Sequence, residues 1–250
     1  MQTNLQPISA PHTRTSIKIV STLNKSYHTN QPPLEGKIKR LVLTQEGRTK
    51  LNIYPDREFY AFPRFVKHVD DGFISTLTNL YRERLRPDME ILDLMSSWIS
   101  HLPSDVKYKK VVGHGLNAQE LAKNPRLDFF VVKDLNKDQE FEFESFSFDA
   151  VLCIVSVQYL QQPEKSGGVF IVSFSNRMFY EKAISAWSEG TAYSRVQLVV
   201  QYFQSVEGFT EPQENMSPIG WIMRLFGLIS ELDPFYAVIA YRSFKHIHDA

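Results

Sequence analysis

The chain has 250 residues, of which 43% are apolar and 22% are charged, and its 28 basic and 28 acidic side chains give a formal net charge of zero. A chain of this length and composition can bury a sizeable core without disulfides or metals. The neutral balance argues against a dedicated nucleic-acid binder. The single cysteine excludes an internal disulfide and a zinc site built on several thiolates, and no apolar run approaches the length of a membrane helix. Fibrous, disulfide-rich and membrane-spanning classes are therefore excluded.

The first 34 residues differ in charge from the rest of the chain. They contain no Asp or Glu and are rich in Ser and Thr, and their basic residues are Arg14, Lys18 and Lys25. This composition is typical of an organelle transit peptide, and a disordered tail without an address is the alternative. The sequence predicts a disordered tail over residues 1–36 and a folded domain over residues 60–242.

Helical and strand-like segments alternate from residue 60 onward. The predicted helices are one reaching Arg84 with Asp70 or Asp71 at its N-cap, one capped by Asn117, one capped by Asn176 that runs through Trp187, and one opening near Ser194. The predicted strands are 90–94, 109–113, 129–132, 148–155, 168–174 and 234–241. Because the strands are nearly all apolar, the pattern predicts an α/β architecture with a mostly parallel sheet.

Polar residues follow each of the first five predicted strands. Their ranges are Asp93 to Trp98, His114 to Asn117, Asp134 to Asn136, Ser156 to Tyr159 and Ser175 to Arg177. Open parallel sheets bind ligands beyond the carboxyl ends of their strands, so these ranges form the candidate site. The carboxylates after the first and third strands can accept hydrogen bonds from amino or hydroxyl groups of a ligand. Each residue also has a local alternative: turn capping for Asp93, an Asx turn for Asp134 and an N-cap for Asn117.

Several strings of the sequence resemble the class I S-adenosylmethionine-dependent methyltransferases, and more narrowly a branch of that superfamily from plants and cyanobacteria. The strings are PRFVKHVDD, DLMSSWISHLP, VVGHGLNAQEL, SVQYL and FSNRMFYEKAI, and the similarity covers about residues 60–242. The resemblance implies a Rossmann-like, mostly parallel seven-stranded sheet with helices on both faces and a reversed last hairpin. It also implies that S-adenosylmethionine lies across the first four strand ends.

The resemblance implies roles for individual residues. Asp93 is expected to bind the amino group of the methionine part, Asn117 to replace the usual ribose-binding acid, and Asp134 to accept the adenine amino hydrogens. The other expected cofactor-binding residues are Met95, Ser96, Gly113, His114, Leu135, which packs on the adenine ring, and Ser156. The expected substrate-side residues are Tyr159, Asn176 and Arg177, and no metal is expected. Arg177 indicates an anionic group on the substrate, with a structural role as the alternative.

The sequence departs from the family pattern in three places. The loop after the first strand, Leu94 to Trp98, contains no glycine, so a Cβ at each position hinders close approach of the cofactor. Gly115 stands where the ribose-binding acid is usual. The segment Tyr159 to Gly167 is too short for the family's crossover helix, so we expect an exposed sheet face beside Cys153 and Ile171.

The sequence therefore predicts a methyltransferase that uses S-adenosylmethionine and acts on a small molecule, with the methyl acceptor left open. A non-catalytic protein of the same fold, acting as a scaffold or cofactor sensor or existing as an inactive truncated isoform, is the alternative that the three departures favour. The tail and the resemblance together predict a chloroplast location, with the cytoplasm as the alternative. No nucleic-acid partner and no transmembrane segment are expected, and the oligomeric state is open.

Other chemistries fit the sequence poorly. A nicotinamide-dependent oxidoreductase is disfavoured because no Gly-x-Gly-x-x-Gly follows the first strand. His101 and His114 lack the spacing of a metal-binding pair. Cys153 lies within an apolar strand and is predicted to be a buried hydrophobic residue rather than a nucleophile.

Overall fold

The structure is a computed structural model that describes residues 38–143, 147–162, 170–216 and 233–242. The predicted tail and transit peptide lie outside the described residues. The segment 163–169, where the crossover helix was expected to be missing, also lies outside them.

Seven strands form a single sheet. They are β1 (Glu90–Leu94), β2 (Lys110–Gly115), β3 (Phe129–Val132), β4 (Ala150–Ile154), β5 (Phe170–Phe174), β6 (Gln213–Met216) and β7 (Tyr236–Ala240). Their order is β3-β2-β1-β4-β5-β7-β6; β1 to β5 pair in parallel, and β7 is antiparallel to both β5 and β6. This arrangement confirms the predicted Rossmann-like sheet with its reversed last hairpin.

Helices cover both faces of the sheet, as predicted. The helices are α1 (Asp56–Phe59), α2 (Asp71–Arg84), α3 (Ala118–Lys123), α4 (Ser185–Ser188) and α5 (Ala192–Gln204), with 3-10 turns at Glu46–Arg48 and Val157–Tyr159. Side chains of a strand alternate between the two faces. Leu77 of α2 packs in one core cluster with Ile91 of β1, and Val199 of α5 packs in a second cluster with Val172 of β5. None of the helices in the described part of the chain is long and apolar enough to cross a membrane.

Two of the predicted N-caps, Asp70 and Asn117, are confirmed. Oδ1 of Asp70 accepts a hydrogen bond from the backbone N–H of Phe73 at 2.7 Å. Oδ1 of Asn117 accepts from the backbone N–H groups of Gln119 and Glu120 at 2.9 and 3.1 Å. These bonds satisfy donors that have no partner within the first turn of a helix.

The helix predicted from Asn176 through Trp187 is wrong over residues 176–184. Only α4 is helical there, and Asn176 is exposed. The side chain of Lys182 is fully buried, and its ammonium lies 2.9 Å from Oδ1 of Asp56. A buried ammonium requires a carboxylate partner, so this ion pair sets the path of the chain ahead of Ser185.

The sheet face beside Cys153 and Ile171 is covered, so the expected exposed face is wrong. Both side chains are 2% exposed. Cys153 packs with Leu160, which follows β4, and with Phe203 of α5, whereas Ile171 belongs to the cluster under α2. Burial raises the pKa of the Cys153 thiol to about 12, which agrees with its predicted role as a buried hydrophobic residue.

Residues ahead of the predicted domain also pack against the sheet layers. Ile38 pairs with Val206 and Lys50 pairs with Ile184, each in an isolated β-bridge. Leu43 is buried in the cluster that contains α5. The described fold therefore begins ahead of residue 60, with Leu43 contributing to its core.

Replacing the α2 cap is expected to destabilise the protein. Asp70→Ala removes the bond to Phe73 and the bond in which Oδ2 accepts from Asp233 N–H at 2.6 Å, so we expect a loss of about 1–2 kcal/mol in the free energy of unfolding. Asp71→Ala is the control, because that side chain is 85% exposed and pairs with the exposed Lys67, so its replacement should cost much less stability. Urea denaturation measures both, and equal losses would contradict the assigned cap.

Candidate functional site

A cavity of about 360 Å³ lies at the carboxyl ends of the first parallel strands. This volume is within the range of small-molecule sites. The predicted site residues that line it are Asp93, Met95, Ser96, His114, Asn117, Asp134, Leu135, Ser156, Tyr159 and Arg177. Gly113 and Asn176 do not line it. A Cβ on Gly113 would lie 2.3 Å from the side chain of Leu127, so this glycine makes room for core packing.

Asp93 brings a nearly buried carboxylate to this cavity. The residue is 1% exposed, and Oδ2 accepts a hydrogen bond from Ser96 Oγ at 2.6 Å. The Ser100 hydroxyl also acts on this carboxyl and lowers its pKa, whereas Oδ1 meets no hydrogen-bond donor at bonding distance and angle among the described residues. Burial raises the pKa of Asp93 to about 6, and the two serine hydroxyls partly offset that rise. A buried acceptor without a partner beside a cavity favours a cationic hydrogen-bond donor as ligand.

His114 ties three adjacent strand ends together. Its ring is 2% exposed, and Nδ1 accepts from the backbone N–H of Met95 at 3.2 Å. The ring proton is therefore on Nε2, which donates to the carbonyl of Lys133 at 2.9 Å. Burial lowers the pKa of His114 to about 4, so the imidazole is neutral at pH 7. With both nitrogens bonded to backbone, His114 orders the ends of β1, β2 and β3.

Two features allow the loop after β1, which contains no glycine, to pack closely against β2. Met95 has a φ of 53°, a left-handed conformation that usually favours glycine. The carbonyl oxygen of Ser96 would lie 2.5 Å from a Cβ on Gly115, so only glycine fits at that position of β2. Gly115, which stands where the ribose-binding acid is usual, therefore leaves space for the loop after β1 to approach β2.

Backbone strain is concentrated around the cavity. Of the non-glycine residues with positive φ in the described ranges, Met95, His101 and Val155 line the cavity, and only Asp88 lies elsewhere. A β-branched residue such as Val155 is particularly disfavoured in this conformation. Each such residue costs on the order of 1–3 kcal/mol, and strain of this kind clusters at binding and catalytic sites.

Asn117 is engaged at both ends of its side chain. Its oxygen caps α3, and its Nδ2 donates to the carbonyls of Tyr60 and Ala61 at 2.9 and 3.1 Å. Asn117 therefore has the N-cap role that was considered as the alternative to cofactor binding. Contact between Asn117 and a ribose would require the loss of one of these bonds.

Residues 56–69, here called the cover segment, contribute Asp56, Tyr60, Arg64 and residues 66–69 to the lining of the cavity. Glu120 binds it by accepting from the backbone N–H of Arg64 at 2.6 Å, and Trp98 Nε1 donates to the carbonyl of Val66 at 3.2 Å. Sequence reasoning assigned no function to this segment. The aromatic and basic side chains interspersed over residues 57–68 are the signal that could have revealed it.

Asp134 and Leu135 follow β3 as predicted. Oδ1 of Asp134 accepts from the backbone N–H of Asn136 at 3.0 Å, which is the Asx turn considered as its local role. Its other carboxylate oxygen has no protein partner within the described ranges, so it can still accept from a ligand. Leu135 is 5% exposed and lines the cavity beside this acid.

The remaining candidates bond mainly to protein groups. Ser156 Oγ lies 3.3 Å from the thiol of Cys153. The hydroxyl of Tyr159 accepts from the backbone N–H of Phe179 at 2.8 Å. Arg177 Nε lies 2.6 Å from Oδ1 of Asp233, which is the structural alternative raised for that arginine.

The charged side chains of the cavity divide into paired and unpaired groups. Each of the paired residues has a partner within 4 Å: Asp56 with Lys50 and Lys182, Lys67 with Asp71, Lys133 with Asp138, and Arg177 with Asp233. The lining residues with no ion pair among the described parts of the chain are Asp93, Glu120, Asp134 and Arg64. The carboxyl ends of the strands and the start of α3 thus contribute unpaired acids, and the cover segment contributes one unpaired base.

Solved structures provide the comparison with known proteins. An S-adenosylmethionine-dependent methyltransferase from Mesorhizobium loti is 15% identical, with 66% of this chain and 96% of that chain covered and a TM-score of 0.40. Magnesium protoporphyrin IX methyltransferase from Synechocystis, with bound S-adenosylhomocysteine, is 11% identical, with 75% and 94% covered and a TM-score of 0.44. The 4+2 cyclase SpnF is 14% identical, with 68% and 82% covered and a TM-score of 0.44. No protein-family model and no curated protein matches the chain.

The strand order and pairing define an α/β Rossmann-like fold whose last strand pair is antiparallel. Identities of 15% or less and TM-scores below 0.5 do not transfer the activity of these proteins. The function has to be inferred from the cavity of this chain.

Replacing Gly115 is expected to disturb the loop after β1. Gly115→Ala would place a Cβ against the Ser96 carbonyl, a backbone atom, so we expect a loss of about 1–3 kcal/mol in the free energy of unfolding. Gly47→Ala is the control, because its Cβ would make ordinary contacts of 3.4 Å or more. Thermal and urea denaturation of both variants test this, and a fully stable Gly115→Ala variant would contradict the close approach.

Asp93 is expected to make stability fall as the pH rises. Its folded pKa of about 6 exceeds the ordinary value, so the folded state binds the extra proton between about pH 4 and 6, and stability on the order of 2 kcal/mol is lost over that range. Asp93→Asn should equal the wild type near pH 4 and exceed it at pH 7.

Asp105→Asn is the control for this comparison. The hydrogen bond from Arg82 lowers the pKa of that exposed carboxyl, so this variant should not gain stability at pH 7. Urea denaturation from pH 4 to 7.5 measures all three proteins. If wild type and Asp93→Asn show the same pH profile, the burial assigned to Asp93 is wrong.

Proposed function

We propose that this chain is an S-adenosylmethionine-dependent methyltransferase whose cofactor binds in the carboxyl-end cavity. The observation that carries the proposal is that Asp93 lines the cavity while its buried Oδ1 has no hydrogen-bond partner among the described residues. The ammonium group of the cofactor's methionine part is a cationic hydrogen-bond donor, and it would supply the donor that this oxygen lacks. The residues present therefore fit the cofactor.

The cofactor supplies an already activated methyl group on a sulfonium, so the protein's main tasks are to align it with an acceptor and to exclude water. Asp93 would hold the methionine amino group. The free oxygen of Asp134 would accept from the adenine amino group, with Leu135 packed on the ring. Unpaired acids at the strand ends also favour the positive charge of the cofactor over a neutral nucleoside.

The surrounding residues keep these groups in place. His114 fixes the backbone of Met95, and Gly115 admits the loop that carries Ser96. The cover segment is bound beside the cavity by Glu120 and Trp98, and it would help to exclude water from the bound ligands. Met95, Ser96 and Ser156 would contribute contacts along the strand ends, and Tyr159 would position Phe179 through its hydroxyl.

A cofactor-binding protein without methyltransferase activity is the second candidate. The observation that favours it is the engagement of Asn117, whose oxygen and amide both bond to protein where a ribose acceptor is expected. Such a protein would bind the cofactor and its demethylated product but transfer no methyl group.

The proposed location is the chloroplast. It is supported by the acid-free, Ser/Thr-rich composition of residues 1–34. A small-molecule acceptor is supported by the size of the cavity.

S-adenosylhomocysteine is expected to bind in a pH-dependent manner. Asp93 must lose its proton to pair with the ligand's ammonium, so calorimetry should show affinity that increases as the pH rises through about 6. Asp93→Asn should weaken binding at pH 7.5 by at least about tenfold and remove this pH dependence. Asp105→Asn, which alters an exposed surface pair, should bind as the wild type does.

Two outcomes would contradict the proposal: no binding at millimolar ligand, or an Asp93→Asn variant that binds like the wild type. Transfer of a radiolabelled methyl group to any component of a plastid extract separates the two candidates. The methyltransferase predicts a labelled product, whereas the non-catalytic protein predicts cofactor binding without one.

A further inference from the structure

We propose that the methyl acceptor is an aromatic carboxylate whose negative charge binds Arg64. The proposal rests on the proposed methyltransferase function and names the substrate class of the same cavity. It is argued from the contacts of the cover segment and does not depend on the residues assigned to the cofactor.

Arg64 is held by aromatic rings and has spare hydrogen-bonding capacity. Its guanidinium carbon lies 4.5 Å from the ring centroid of Phe59, 5.4 Å from that of Tyr60 and 5.1 Å from that of Phe179. Nη2 donates to the carbonyl of Phe59 at 3.0 Å, while Nη1 is buried without a partner among the described residues. A guanidinium offers five N–H donors in a planar fork, so this group remains able to bind a carboxylate.

Arg64 forms no ion pair with an acid of the described part of the chain. Glu120 contacts the same residue, but its Oε1 accepts from the backbone N–H of Arg64 and its Oε2 accepts from Ser97 Oγ. The other bases that line the cavity, Lys67, Lys133 and Arg177, each pair with an aspartate. A partly buried cation without a counter-ion is costly, and the surrounding rings offset only part of that cost. A ligand with a single negative charge completes the pairing, which favours a carboxylate over a dianionic phosphate ester.

The surroundings of Arg64 also favour a planar, apolar ligand body. Tyr60, Phe179 and His68 line the cavity, with ring centroids 6.1 Å apart for Tyr60 and Phe179 and 5.7 Å apart for His68 and Phe179. The planes in each pair cross at more than 70°, so faces and edges are both available for stacking. Burial lowers the pKa of His68, so its ring is neutral at pH 7 and contributes apolar surface.

The two ligands are thereby separated by charge. The strand ends offer unpaired carboxylates to the cationic cofactor, and the cover segment offers an unpaired guanidinium to an anion. An anionic acceptor would therefore be repelled by the acids at the strand ends and attracted to Arg64.

The test uses trans-cinnamate as the probe and compares it with two analogues that each lack one feature. Cinnamamide keeps the aromatic body without the charge, and cyclohexanecarboxylate keeps the charge without the aromatic ring. Calorimetry at pH 7.5 on the full chain, with saturating S-adenosylhomocysteine present, should show cinnamate binding at least tenfold more tightly than either analogue.

Variants then assign the charge preference to one residue. Arg64→Gln should weaken cinnamate binding at least tenfold and leave cinnamamide binding unchanged. Arg57→Gln is the matched control, because Arg57 is an exposed arginine of the same segment and does not line the cavity. It should leave both affinities unchanged. The comparison of probes on the wild-type protein stands even if Arg64→Gln fails to fold.

Cinnamate and cinnamamide binding equally to the wild type would overturn the proposal, as would an Arg64→Gln variant that keeps the full preference for the anion. Binding of S-adenosylhomocysteine without binding of cinnamate would overturn the acceptor class and leave the methyltransferase function standing. Absence of S-adenosylhomocysteine binding would overturn the proposed function, and the acceptor proposal with it.

Discussion

A carboxylate that is almost fully buried, with one oxygen lacking a hydrogen-bond partner among the described residues, is the constraint on which this site depends. The buried position of Asp93 in β1 raises its pKa to about 6, and the nearby serine hydroxyls only partly stabilise the charged form. Folding alone gains nothing from such a group, because a neutral side chain of the same shape would cost less to bury. A cationic ligand supplies the missing donor and the missing charge at once. The cost in stability is therefore the physical reason for proposing that the cavity binds a positively charged ligand.

The rest of the cavity is organised around a loop that lacks the usual glycines. Met95 adopts a left-handed backbone conformation that is strained for a residue other than glycine. Gly115 of the adjacent strand has no side chain, so the Ser96 carbonyl can lie close to it. The His114 ring stabilises this arrangement by hydrogen bonding to the backbone of Met95, which follows β1, and to the backbone of Lys133, which follows β3. The distance between the loop after β1 and the end of β2 depends on the residues of both. A glycine in β2 can therefore make room for a loop after β1 that contains no glycine.

The sequence predicts the features that depend on local pattern. Apolar runs locate β1 and β3 to the residue, and Asp70 and Asn117 cap the helices that they were expected to cap. Features that depend on distant contacts are missed. The polar edge strand β6 has no apolar pattern to mark it, and the path after Asn176 is set by the buried Lys182, whose partner lies far away in the chain. The same holds for the site: strand ends can be predicted from the order of elements, whereas Arg64 belongs to an irregular segment whose place over the cavity is fixed by Glu120.

The most direct measurement of the central claim is the pKa of the Asp93 carboxyl itself, followed by NMR of a protein labelled with carbon-13 at aspartate, with and without S-adenosylhomocysteine. The pKa of Asp93 should be about 6 in the free protein, because the carboxylate is buried, and well below that value when the ligand's ammonium is bound. A carboxyl that titrates at its ordinary value in the free protein, or whose pKa is unchanged by saturating ligand, would contradict the account.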